Sequence, residues 1–164
     1  MSSTTPTFAH RSDAEQARLE AALTELFERR ITFNQVLGLK IESVRAGDVR
    51  AKLDMRPELV GHHAYGRLHG GVISAALDAM GGLALMAAIA ERFGADSTPQ
   101  VLHRFLKMAT IDLRVDFLRP GLGAHFVATA DVTRLGGRLG STQMRLHNDS
   151  GILVATGAAA YVVA

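Results

Sequence analysis

Cysteine and tryptophan are both absent from this chain, proline occurs only 4 times, and aromatic residues make up 5% of its 164 residues. Without cysteine, neither a disulfide scaffold nor a Cys-ligated zinc module can form, and thiols give no reading of redox compartment. The scarcity of aromatic rings argues against a base-stacking surface. An excess of one charge is lacking too. The 18 Lys and Arg, mostly Arg, are scattered among 16 Asp and Glu for a formal net charge of +2, so no nucleic-acid partner is expected despite a pI of about 9.4. What the chain does have is apolar side chains, 48% of the total, too many for disorder and enough for one sizeable core at this length.

The opening MSSTTPTFAHRSDAEQ has no apolar stretch and carries Asp13 and Glu15, so it does not read as a secretory signal. Residues 1–12 are expected to form a flexible tail on a cytoplasmic protein, with one domain over 13–164. Ser12 and Glu15 form a capping box that opens an amphipathic helix to about Arg30, with Leu19, Leu23, Leu26 and Phe27 on one face. From Leu39 the apolar period falls to two: Leu39 and Ile41, then Val49, Ala51, Leu53 and Met55, on either side of a Gly47-Asp48 turn. A loop rich in glycine and histidine follows over 61–66. Val72 to Ala90 is then apolar except for Ser74, Asp78, Gly81 and Gly82. That run is long enough to span a membrane, but its many alanines and the central Asp78 favour a buried helix from about Gly70 to Phe93, and no membrane is expected.

Thr98-Pro99 reads as the N-cap and first residue of a short helix to about Met108. Ile111, Leu113, Val115 and Phe117 alternate with Asp112, Arg114 and Asp116. Strands over 126–134, 139–148 and 152–163 follow, joined by short glycine-bearing turns, which implies a sequential antiparallel meander. The fold class is α+β: an antiparallel sheet wrapped around a helix that is apolar on every side. One sheet covers one face of that helix, so the opposite face is expected to meet a second subunit.

Asp78 is the residue that carries most chemistry. An ionised carboxylate in an alanine- and leucine-rich helix is expensive unless it is partnered or opens on a cleft. It either serves structure, bonded to Ser74 one turn earlier or facing water, or attacks a substrate directly or through an activated water. His69-Gly70-Gly71 precedes the helix. Two glycines admit close approach of a ligand to backbone, and free N–H groups at a helix start favour negative charge, as an oxyanion hole requires. Asp78 stands roughly 10 Å along the axis from Gly71, too far to act on a carbonyl held there by its own chain. Two such helices packed antiparallel across a dimer would bring each Asp78 toward the other chain's helix start.

LHGGVISAALDAMGGLALM and ATIDLRVDFLRPG resemble the hotdog-fold thioesterases of the phenylacetate-degradation (PaaI-like) type. With FNQVLGLKIE and the closing LHND and ATGAAAYVV segments, residues 30–164 look most like the bacterial YigI-type acyl-CoA thioesterases. The resemblance implies a hotdog fold and hydrolysis of acyl-CoA thioesters, medium- to long-chain, without metal or cofactor, in a homodimer or a dimer-of-dimers tetramer. It implies that Asp78 is the catalytic carboxylate, as nucleophile or general base, that Gly70 and Gly71 donate to the thioester carbonyl, and that His69 shapes their loop. Where many relatives have an Asn six residues before the His, this chain has His63, which would orient water or substrate or be an ordinary loop residue. Ser97 and Thr98 fall where some relatives place a hydroxyl that assists the attack.

His62, His63 and His69 have no Glu or Asp at ligand spacing, so no metal site is expected. Arg119, Arg134 and the Gly136-Gly137 turn are candidates for the CoA phosphates, since Arg suits bidentate phosphate contact; each is equally readable as solvated surface. Met80 and Leu83, with Met86 and Phe93, would wall the acyl chain or be plain core. Two other functions fit the scaffold that the resemblance implies: a hydratase or dehydratase acting on enoyl-CoA, which would pair Asp78 with His63 or His69, and a non-catalytic acyl-CoA-binding module.

Overall fold

The computed structural model describes residues 10–164, so the expected tail lies outside the described residues except at its end. There Arg11 is pinned, donating from Nε to Asp96 O at 2.8 Å and from a terminal nitrogen to Phe93 O at 2.8 Å. Helix α1 (Asp13–Glu25) starts at Ser12, whose hydroxyl accepts from the Glu15 N–H at 3.3 Å. Only half of the expected capping box forms, because the Glu15 carboxylate turns away to accept from the Thr98 N–H and hydroxyl, both at 2.8 Å. The chain continues through a π turn (Leu26–Arg30) into a short α2 (Thr32–Leu37) that the apolar periodicity does not predict. Gly38, at φ 74°, ends it in the left-handed conformation that glycine adopts without strain.

Strands β1 (Leu39–Arg45) and β2 (Asp48–Asp54) form the expected hairpin. The glycine–histidine loop is held as a small ladder of β3 (Val60–His62) and β4 (Arg67–Leu68). Helix α3 (Gly70–Arg92) matches the long apolar run, and α4 (Thr98–Phe105) follows, capped by Ser97 rather than by Thr98. The remaining strands are β5 (Ala109–Phe117), β6 (His125–Leu135), β7 (Leu139–Asn148) and β8 (Leu153–Val162). The six-stranded sheet runs β1-β2-β6-β7-β8-β5. The expected meander therefore holds for β6, β7 and β8 only. β5 crosses over to the far edge beside β8, because β2 takes the position next to β6.

α3 packs on the sheet with Leu77, Met80, Leu83, Leu85 and Met86 fully removed from solvent, each stabilising the fold by about 1.5–3 kcal/mol. It is long and apolar enough to cross a membrane, yet most of it is the buried core of this domain. Its opposite side is covered in part within the chain. Leu19, Leu23 and Phe27 of α1 and the π turn, with Val101 of α4, are buried against the same core. The N-terminal helices thus cover part of that side, while Ala75, Asp78, Ala79 and Gly82 stay partly exposed.

Candidate active site

The extended backbone at β5 contains the feature that builds the site. Strict alternation would turn Ile111, Leu113, Val115 and Phe117 inward, but the β5–β8 register shifts between Thr110 and Asp112. The bulge leaves Ile111 53% exposed and swings Thr110 to the inner face, directly opposite Tyr161 on β8. Both side chains meet Asp78. The Thr110 hydroxyl donates to Asp78 Oδ1 at 2.9 Å, and the Tyr161 hydroxyl lies 2.9 Å from Asp78 O and 3.2 Å from Oδ1. Burial first, then the Asp78 charge, pushes the Tyr161 ionisation well above the usual tyrosine value, so the phenol keeps its proton. Ser74 bonds Gly70 O at 3.0 Å and does not serve the carboxylate.

Asp78 opens on a pocket of about 280 Å³ that is mainly apolar. Phe27, Ile31 and Phe33 line it from the π turn and α2, Ala75, Ala79 and Gly82 from α3, and Phe105 and Met108 from α4 and its exit. Asn34, buried here, donates to Phe27 O at 3.0 Å and ties α2 to the π turn. Met80, Leu83 and Met86 lie elsewhere. They are buried in the core on the other faces of α3, and the α3 residues that line the pocket are Asp78 and the small Ala75, Ala79 and Gly82. Phe93 is capped by the Arg104 guanidinium, 3.7 Å from its ring centre.

At the start of α3 the two glycine amides differ. His69 is the N-cap, and its Nδ1 accepts from the Gly71 N–H at 2.8 Å, so that donor is already engaged. Among the described residues the Gly70 N–H has no acceptor and is the donor left for a ligand. Gly70 and Asp78 are eight residues apart on one helix, about 12 Å along its axis. His63 is exposed on the β3–β4 loop, stacked on His62 with ring centres 5.8 Å apart, and does not reach Asp78 of its own chain.

The candidate phosphate residues fall at opposite ends of α3. Arg119 is exposed where β5 ends near the helix start, with one guanidinium nitrogen donating to Leu153 O at 3.0 Å. The Gly136-Gly137 turn is beside Arg92, which donates to Gly136 O at 3.0 Å, and the neighbouring Arg134 is exposed. That end is about 20 Å along the helix from Asp78, so Arg134, Gly136 and Gly137 are not brought to the site of their own chain. The hydroxyls expected to assist are otherwise committed, Thr98 to Glu15 and Ser97 to Gln100 Oε1, both at 2.8 Å. The hydroxyls that reach Asp78 are those of Thr110 and Tyr161. Sequence reasoning missed both, and only the hydroxyl of Thr110 at an otherwise apolar strand start hinted at it.

Residues 65–155, from the β3–β4 loop into β8, match the family model of the thioesterase superfamily. Over 139 residues, 85% of this chain and 90% of the relative, the sequence is 37% identical to the medium/long-chain acyl-CoA thioesterase YigI of Salmonella typhimurium. It is 36% identical over the same length to the Escherichia coli protein of that name. A solved structure from Shewanella oneidensis, described as related to the thioesterase superfamily, superimposes with a TM-score of 0.86 at 35% identity, covering 93% of this chain and 100% of that one. The long helix carrying a carboxylate against an antiparallel sheet is thus the hotdog arrangement, and the chain belongs to the thioesterase superfamily.

Proposed function

We propose that this protein is a cytoplasmic enzyme that hydrolyses medium- to long-chain acyl-CoA thioesters, with Asp78 as the reacting carboxylate. The observation that carries this reading is the Asp78 carboxylate, held by the Thr110 hydroxyl at 2.9 Å and opening on an apolar pocket. The similarity to acyl-CoA thioesterases over most of the chain supports the substrate class. The acyl chain enters the pocket between α2, α3 and α4. The carbonyl oxygen accepts from the Gly70 N–H at a helix start, where the macrodipole favours the developing oxyanion. As general base, Asp78 takes a proton from water, hydroxide adds to the carbonyl carbon, and the tetrahedral intermediate expels the CoA thiolate, which then takes that proton. As nucleophile, it adds to the carbonyl carbon and expels the CoA thiolate to form an acyl anhydride; water then opens the anhydride, freeing the acid and the Asp78 carboxylate, and its proton goes to the thiolate.

One protomer cannot do this alone, because its Gly70 and Asp78 are too far apart along α3. β5 offers the means of pairing: a nine-residue edge strand with one side unpaired in the sheet and Ile111 and Phe117 exposed. A homodimer joined along β5 runs two α3 helices antiparallel and sets Asp78 of one protomer toward Gly70 of the other.

The test is free-thiol release from acyl-CoAs running from acetyl to palmitoyl, with wild type beside Asp78→Asn. Turnover that rises with chain length and falls at least about a hundredfold in the variant is the expected result. Binding of acyl-CoA without turnover in wild type would instead make the protein a binding module, and equal activity in both proteins would make Asp78 structural.

A further inference from the structure

Gly81 is buried in the middle of α3, where glycine weakens a helix relative to alanine. Its neighbours account for it. A Cβ at this position would overlap the Tyr161 hydroxyl and stand 2.8 Å from Thr142 Oγ1. The missing methyl is a notch through which the phenol of β8 reaches the helix and touches both the backbone oxygen and Oδ1 of Asp78. Thr110, opposite Tyr161 in the ladder, donates to the same Oδ1. The two hydroxyls form one platform fixed by the β5–β8 pairing, and among the described residues Oδ2 of Asp78 has no donor.

We propose that Tyr161 is a positioning residue: with Thr110 it holds Oδ1 of Asp78 and leaves Oδ2 as the oxygen that reacts, and Gly81 exists to admit its hydroxyl. Rotation about Cβ–Cγ would otherwise exchange the two carboxylate oxygens; the Thr110 hydroxyl at 2.9 Å, with the Tyr161 hydroxyl, whose one proton is shared between Asp78 O at 2.9 Å and Oδ1 at 3.2 Å, restrains that exchange. The assignment rests on the reading of Asp78 as the reacting carboxylate in thioester hydrolysis. It adds a residue 83 positions away in sequence and names the reacting atom.

The experiment measures kcat and KM with one long-chain acyl-CoA for wild type, Asp78→Asn, Tyr161→Phe, Gly81→Ala and the Gly81→Ala/Tyr161→Phe double variant, with thermal melts on each. Loss of one hydrogen bond to a charged group predicts that Tyr161→Phe lowers kcat by about ten- to a hundredfold while KM stays within about twofold. Gly81→Ala, which displaces the hydroxyl, is expected to lower kcat similarly, and the double variant to be no worse than either single one, since both changes take the same hydroxyl from Asp78. A Tyr161→Phe kcat within about twofold of wild type, with Asp78→Asn inactive, overturns the positioning role and leaves hydrolysis by Asp78 standing. A loss confined to KM, or losses that multiply in the double variant, also overturn it. Full activity in Asp78→Asn overturns the underlying reading instead. Should Tyr161→Phe melt well below wild type, the kcat of Gly81→Ala decides.

Discussion

Gly82 offers a direct test of where the acyl chain lies. It lines the Asp78 pocket, and a Cβ built there meets nothing within 4 Å. Gly82→Ala should therefore be free of clash and should stabilise the helix by about 0.5–1 kcal/mol, a rise of about 1–4 °C in Tm. Gly82→Leu projects an isobutyl group into a pocket of about 280 Å³. That group displaces about three methylenes of substrate, and each methylene denied burial costs about 0.8 kcal/mol, a factor of about four in kcat/KM. Long acyl chains should thus lose about sixtyfold in kcat/KM relative to wild type, while chains too short to reach position 82 are unaffected. The assay is thiol release across the chain-length panel. A profile that keeps its shape in Gly82→Leu, with a melt no lower than wild type, would refute the assignment of this pocket to the acyl chain.

Two further outcomes test the local chemistry. The His69 Nδ1 cap on the Gly71 N–H predicts that His69→Ala loses about 1 kcal/mol in denaturant unfolding, whereas His69→Asn, which can still cap, stays near wild type. The Thr98 N–H, followed by the Thr98 hydroxyl, holds the Glu15 carboxyl below the ordinary glutamate range. Because the folded value is the lower one, this clasp contributes stability above the unfolded glutamate pKa and loses it as pH falls through the folded value. The hydrogen-exchange protection factor of the Thr98 amide should fall over that acid interval in wild type, and Glu15→Gln should remove the dependence.

Much of this protein is legible in its sequence because local rules act over a turn or a strand. The apolar run of 72–90 could only be a buried helix once Asp78 made a membrane costly. Alternation at period two marked the strands, and glycines marked the hairpin turns. Asp78 stood out as a carboxylate in apolar surroundings, and His69-Gly70-Gly71 as a helix start open to a ligand. Periodicity gives the inward face of a strand but not its neighbour, so short connections pointed to a sequential meander with β5 beside β6, whereas pairing sets it beside β8. It also fails at a bulge. The shift at Ile111 reversed the parity of the strand start, exposed an isoleucine and turned Thr110 inward.

Other decisions belong to tertiary structure because they join groups far apart in the chain. Asp78 meets Thr110 and Tyr161 only through the register of two strands against one helix, and the notch at Gly81 has no meaning until Tyr161 fills it. Glu15 was free to complete its own capping box, but Thr98 offered two donors where the sequence offered one. The second glycine amide went to the His69 ring for the same reason: a nearer partner was in place once the loop had folded. Composition and spacing determined which elements form and which side chains carry charge into apolar surroundings. Which polar atoms those charges meet was decided by packing, because a hydrogen bond depends on separations of a few tenths of an ångström that no local pattern encodes.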